Sequence, residues 1–279
     1  MSEIIKVIMH LSVLTFVITS MLAMGLSLTI KAIVTPLRNT RVVFLSLATN
    51  FVLVPLLAYL ILQVLPLEQG LATGLIIMST AAGEPFLPKL AEVAKGNMAY
   101  SVGLMVLLMV GTILFMPLVL PLLLTGVDVD ALAIAKSLVL LMLTPLAIGL
   151  FIKARYDSIA ESLRPSMDQT STVALVLLMV SAIVLNFSTM IGVIGTGGIL
   201  AILIFLVVAF VFGYFLGGPS ADTKSVLALG TAQRNVSAAL LVAAQNFSDD
   251  PNVLTMILVT GLIGLVLLMV TGGELGKRN

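Results

Sequence analysis

The chain has no cysteine, no tryptophan and a single histidine, His10, among 279 residues. Without cysteine there is no disulfide and no thiolate metal site, and nothing in the composition assigns a redox compartment. One histidine cannot build the His/Cys clusters that hold zinc. Charge is scarce as well: Asp, Glu, Lys and Arg make up 10% of the chain and nearly cancel, at a net +1. That leaves no basic patch for nucleic acid, and aromatic residues at 6% leave no stacking platform. No HExxH pair, no paired-aspartate motif and no phosphate loop ending in lysine occurs, so neither a hydrolase nor an ATP-driven machine is expected. Gly192, Gly195, Gly197 and Gly198 follow no strand and lack that lysine, so they read as a loop. The expectation is a protein that is not an enzyme and holds no cofactor.

What is present is apolar sequence: 60% of the residues are hydrophobic, and the mean hydropathy is +1.22. Runs of about 20 such residues are membrane spans. Nine are expected, at about 7–30, 42–65, 71–95, 98–124, 131–153, 169–190, 196–217, 223–245 and 252–272. Turn chemistry separates them, at Thr35-Pro36, Pro66 to Gly70, Thr125 to Asp128, Arg164-Pro165-Ser166, Gly195 to Gly198, Gly217 to Ser220 and Asp249 to Asn252. The first apolar run continues past signal-peptide length and reads as a retained span. The fold class is therefore an all-α polytopic membrane protein, with residues 1–279 as one transmembrane domain and short loops that leave no room for a globular appendage. Ten cations lie at one set of span ends (Lys31, Arg38, Arg41, Lys95, Lys153, Arg155, Arg164, Lys224, Lys277, Arg278), against Lys6 and Lys136 at the other. The positive-inside rule puts the N-terminus outside and the C-terminus in the cytoplasm, in the inner cell membrane.

Two spans are interrupted. Ala81 to Glu92 carries Gly83, Glu84, Pro85, Pro88, Lys89 and Glu92 at membrane depth, and Gly230 to Asn235 does the same later in the chain. Lipid satisfies no free backbone group, so such segments must line a polar interior. Each is third in a series of four. Repeat one is about 1–125, span 131–153 is a link, and repeat two is about 165–275. The repeats start on opposite sides and so are inverted, a design that implies alternating access.

The pieces Met24 to Thr29, Asn50 to Ala58 with Pro55, Ala94-Lys-Gly-Asn97 and Gln233-Arg-Asn235 resemble the bile acid:sodium symporter family, including its bacterial relatives, over nearly the whole chain. The resemblance implies a nine-span form, a core in which two broken helices cross, and a panel of other helices. It also implies a substrate cavity between the two, uptake of an organic anion, and sodium as coupling ion. Sodium-using members hold the ion with carboxylate, amide and hydroxyl oxygens. Here Glu84 to Pro88 replaces the usual small and polar residues, and Gly230 and Arg234 stand where an acid and a glutamine are common. Asn50, Ser101, Thr112 and Gln233 are the remnants of a sodium site. These departures weigh against sodium coupling.

Arginine offers five donors, no acceptor and a permanent charge. Arg234 is therefore read as a built-in cation that pairs with Glu84 across the crossing. Lys89 and Glu92 share a helix face and complete a neutral quartet. The competing reading is that Glu84 and Arg234 merely lock two helices while Lys89 snorkels to the surface with Glu92. The substrate-binding candidates are Glu84, Lys89, Asn50, Thr231, Gln233, Arg234 and Asn235. Ser181 and Asn186 read first as helix-packing groups, His10 as interfacial and the fifteen methionines as gap fillers. The function expected is secondary active transport of a small organic anion. The rivals are an exporter or exchanger resembling auxin carriers and a non-transporting sensor; an arsenite-type exporter is disfavoured by the missing cysteine. Small-residue motifs serve intramolecular packing as well as association, so they fix no oligomeric state.

Overall fold

The computed structural model describes residues 2–124, 129–247 and 249–278, with the side chains of residues 2, 3, 182, 183 and 186–190 set aside. Among the described residues every regular element is a helix. Among the described residues seven stretches are long and apolar enough to cross a membrane: Ile4–Ser27, Thr40–Val64, Met98–Leu123, Ala131–Arg155, Gly198–Leu216, Ala221–Asn246 and Pro251–Arg278. They coincide with seven of the nine expected spans. The other two stand apart: one is cut in two, and the other falls partly outside the described residues. The stretch at 71–95 is cut into α5 (Gln69–Thr80) and α6 (Leu87–Val93), each too short to cross alone. The stretch at 169–190 lies within α10 (Asp157–Gly192), a helix of 36 residues. The turn expected at Arg164-Pro165-Ser166 does not form, and α10 runs straight through Pro165. The turn expected at Thr125 to Asp128 lies outside the described residues.

Local chemistry sets the helix ends. Asn39 accepts from the Val42 N–H, Asn97 from Tyr100, and Asp130 from Leu132 and Ala133. Each fills one of the backbone donors that a helix start leaves orphaned. In Thr40–Val64 and Ala131–Arg155 the helix widens by one residue just before a proline. The Val54 N–H reaches the Thr49 carbonyl and the Thr144 N–H reaches the Val139 carbonyl, five residues back. Proline clashes with the carbonyl four residues before it, and a π turn opens the ladder there. The first of these π turns, Thr49–Leu53, carries Asn50.

Packing places the helices in two groups. The first helix, α1 (Ser2–Ser27), lies against α9 (Thr144–Arg155) and α10. The approach to α9 is close because Gly25 and Gly149 meet: a Cβ on Gly149 would stand 2.5 Å from the Leu22 oxygen. Two glycines let backbones touch in a way no larger residue permits. In the second group α5 packs on α14 (Pro251–Arg278), and α11 (Gly198–Leu216) packs on α12 (Ala221–Ala232). α13 (Val236–Asn246) continues from α12 after a break. The Ala221–Asn246 stretch is 94% buried, whereas the other six long apolar stretches are buried to between 28% and 50%. This stretch is the interior of the molecule. The others turn one face outward, as Leu114, Leu118 and Leu122 do on α7 (Met98–Leu123).

Candidate functional site

Helix α5 stops at Thr80, and residues 81–84 have no regular structure. Gly83 has φ +80°, and a Cβ there would stand 2.2 Å from the Met109 nitrogen, so only glycine fits. Helix α12 stops at Ala232, and α13 starts at Val236. The two breaks face each other and exchange their orphaned backbone bonds. The Asn235 N–H donates to the Ala81 carbonyl at 2.9 Å. The Asn235 side-chain amide donates to the carbonyls of Gly83 at 3.0 Å and Ala82 at 3.3 Å. Its amide oxygen accepts from the Ala238 N–H and caps α13. From α7, the Thr112 hydroxyl accepts from the Ala82 N–H at 2.8 Å and donates to the Ala82 carbonyl at 2.9 Å. The open backbone that lipid could not satisfy is thus satisfied within the protein.

Arg234 is 1% exposed. Its guanidinium is wrapped in oxygen. Nη1 donates to Asn50 Oδ1 at 2.7 Å and to the Thr231 carbonyl at 3.1 Å, Nη2 to the Ser79 carbonyl at 2.7 Å, and Nε to the Met78 carbonyl at 3.1 Å. Asn50 is itself oriented: its amide nitrogen donates to the Ser46 carbonyl and to Thr231 Oγ1. Met78 and Ser79 end α5, where unpaired carbonyls gather partial negative charge. The cation therefore sits at a helix C-terminus.

Glu84 does the converse. Its Oε2 accepts from the Val236 N–H at 2.7 Å, and the next N–H, of Ser237, also points to it. The acid sits at the N-terminus of α13, the positive end of a helix. The expected Glu84–Arg234 ion pair is therefore not formed, and no ion pair involves either residue among the described residues. Each charge is met by aligned backbone groups of the opposite broken stretch. Those groups come with the crossing itself, and they occupy the positions a paired side chain would need.

The neutral quartet is also corrected. Lys89 and Glu92 pair at 2.8 Å, but their side chains are 56% and 61% exposed, so only Glu84 and Arg234 are buried charges. Of the other candidates, Thr231 accepts from Asn50, and Asn235 joins the breaks. Ser101 bonds its own helix at the Met98 carbonyl. Gln233 is buried, and its Oε1 has no partner, as is true of the hydroxyls of Ser237 and Thr255. Ser181 is buried on α10, and the side chain of Asn186 lies outside the described residues. The carbonyls of Met78 and Ser79 escaped sequence reasoning. Their only sequence signal is that they end a helix before a break.

No cluster of three or more His, Asp or Glu suited to a metal occurs among the described residues. Of the four sodium-site remnants, Asn50 and Thr112 are committed to protein partners, Ser101 faces its own helix and Gln233 alone keeps an unpartnered oxygen. A cavity of about 650 Å³ opens where α1 and α10 meet α13 and α14. His10 and Lys6 stand on one wall and Asp249 and Asp250 on another, above an apolar floor that includes Val13 and Phe247.

Comparison with known proteins places the chain in a family. The pattern of the Sodium Bile acid symporter family matches residues 14–216. The chain is 25% identical over 267 residues to "Probable sodium/metabolite cotransporter BASS3, chloroplastic" of Arabidopsis thaliana, covering 93% of this chain and 62% of that protein. It is 26% identical over 260 residues to "Probable sodium/metabolite cotransporter BASS2, chloroplastic" of Oryza sativa subsp. japonica, covering 91% and 60%. The chain thus spans about three fifths of the length of these curated relatives. Its several apolar helices make it a multi-pass membrane protein, and the chain belongs to the Sodium Bile acid symporter family.

Proposed function

We propose that this chain is a secondary transporter of a small organic anion that works by alternating access and draws no sodium coupling from its helix crossing. The observation that carries the reading is the crossing itself: two interrupted stretches joined at depth, with a guanidinium filling an all-oxygen cage. Interrupted helices in corresponding places of two halves are the usual seat of transport in such proteins. The proposal includes nine spans in inverted repeats, with α5 and α6 as the third and α12 and α13 as the eighth. It also places the N-terminus outside and the C-terminus inside the inner cell membrane. The cage argues against sodium because a fixed cation already takes the oxygens a hard ion would want.

The anion assignment rests on the bile acid family alone; the relatives, named as sodium/metabolite cotransporters, support a carried metabolite and leave its charge open. Arg234 no longer supports it, since its donors face protein oxygens, and Lys89 is turned outward. Solute contacts are assigned instead to the 650 Å³ cavity and to Gln233, whose free oxygen remains beside the crossing. Asn50, Thr231, Arg234 and Asn235 hold the crossing in shape.

The test is counterflow in vesicles loaded with candidate carboxylates and sulfonates, in sodium and again in choline. Equal exchange in both media is the expected result. A steep dependence on sodium would overturn the coupling assignment, and no exchange with any anion would overturn the substrate class.

A further inference from the structure

At the cation-rich end of the molecule a groove of about 430 Å³ runs between α11, α12 and α14. Phe210 and Tyr214 form one wall and Thr271, Glu274, Leu275 and Arg278 of α14 another. Lys224 leans over the Tyr214 ring, its Nζ 5.9 Å from the ring centre. Lys277 is held by Glu274 at 2.6 Å, which leaves Lys224 and Arg278 without an ion pair among the described residues. Asp222, the acid close to Lys224 in sequence, is engaged with Asn97, which caps α7, and with the Thr223 N–H. With Glu274 offset by Lys277, the charges left at the groove are Arg278 on its wall and Lys224 beside it, over the Tyr214 ring.

A second groove, of about 580 Å³, continues along α14 and shares Thr271 with the first. It is bounded by Leu262, Ile263, Val266, Leu267 and Val270 as well, so it is one uncharged face of α14 alone. From Thr271 back to Leu262 the helix rises ~14 Å at 1.5 Å per residue. Half of a bilayer's hydrocarbon core is ~15 Å. A cationic mouth with an aromatic wall, continuous with an apolar strip one leaflet deep, has the shape of one kind of ligand.

We infer that these joined grooves bind an anionic glycerophospholipid, with its phosphate between Lys224 and Arg278 and an acyl chain along Leu262 to Thr271 of α14. Charge complementarity selects the headgroup: basic residues near a membrane surface attract anionic lipid, and Tyr214 sits where interfacial aromatics anchor. The lipid would bridge α12, which leads to the helix crossing, to its neighbours α11 and α14.

The test uses the full chain purified in mild detergent, with thermal unfolding and native mass spectrometry as readouts. Phosphatidylglycerol, phosphatidylcholine with the same acyl chains, and soluble glycerol 3-phosphate are titrated separately. Phosphatidylglycerol should raise the unfolding temperature saturably and remain bound in the mass spectrum, with phosphatidylcholine far weaker and glycerol 3-phosphate inert. The double variant K224Q/R278Q should lose roughly twenty-five-fold in phosphatidylglycerol affinity, about fivefold per charge. The charge-keeping pair K224R/R278K should retain it, which separates lost charge from lost folding. V270W, which fills the apolar strip, should weaken the same lipid. The proposal is overturned if K224Q/R278Q responds as the wild type does, if phosphatidylcholine matches phosphatidylglycerol, or if glycerol 3-phosphate alone reproduces the shift.

Discussion

Removing the Arg234 guanidinium tests the crossing most directly. The side chain satisfies four acceptors: Asn50 Oδ1 and the carbonyls of Met78, Ser79 and Thr231. In R234A all four lose a bond in a place water does not reach, and the Met78 carbonyl alone keeps another donor, the Ala81 N–H. A buried acceptor left unmade costs about 1–3 kcal/mol, and neighbouring losses are not fully additive, so the three orphaned acceptors total about 3–6 kcal/mol. Whole domains are stable by only about 5–15 kcal/mol, so R234A should lie near the edge of folding. In R234Q the amide supplies two donors and should recover roughly half of that loss. A double-mutant cycle separates this account from a Glu84–Arg234 ion pair. With each charge at a different helix end, the coupling between R234Q and E84Q should stay below about 1 kcal/mol. A shared buried pair would give on the order of 3 kcal/mol or more. Denaturant titration of the purified protein in detergent micelles, followed by circular dichroism, measures all four corners of the cycle. Wild-type stability in R234A, or coupling near the larger figure, would refute the reasoning.

The same measurement checks other positions. G83A should lose at least about 2 kcal/mol, because it combines a left-handed backbone with a Cβ driven into the Met109 nitrogen. T112V should cost about 1–3 kcal/mol by orphaning the Ala82 N–H, while the Ala82 carbonyl keeps the Asn235 amide, and T112S should restore most of it. K89A should change stability by no more than about 0.5 kcal/mol, since its partner Glu92 shares its exposure to solvent; a large loss would mean that Lys89 reaches the interior. G149L should push α1 and α9 apart and show as a loss of thermal stability of at least several degrees, about 1–3 kcal/mol of overpacking, where its neighbour substitution I148L should be silent.

Much of this was legible in the chain. Length and run structure give membrane helices, because no other environment accepts so much apolar surface. The first interruption was legible in part: Gly83 and Pro85 stand between the end of α5 and the start of α6, and Pro88 sits in the first turn of α6, where a proline is tolerated. The second break, at Gln233 to Asn235, was signalled by polar residues between apolar runs. The partners of the buried charges were not legible. Opposite signs at matching places suggested that Glu84 and Arg234 meet. The charges they actually meet belong to helix ends, which no letter in the sequence carries, and which reach them only once the stretches cross. The π turns before Pro55 and Pro145 were equally hidden, although one of them aims Asn50 at the guanidinium. Pro165 misled in the other direction: it marks no boundary, because α10 absorbs it as an interior residue.

The crossing is fastened at many points, by Asn235, Thr112, Glu84 and the four bonds of Arg234. A body pinned this often does not flex where it is pinned, so α5, α12, α13 and the Asn50 turn form one solid block. Any large displacement must fall on a looser seam, and the hollow between α1 and α10 on one side and α13 and α14 on the other is already such a seam. The joint of this machine is thus predicted to lie beside its rivets, along the wall that carries His10.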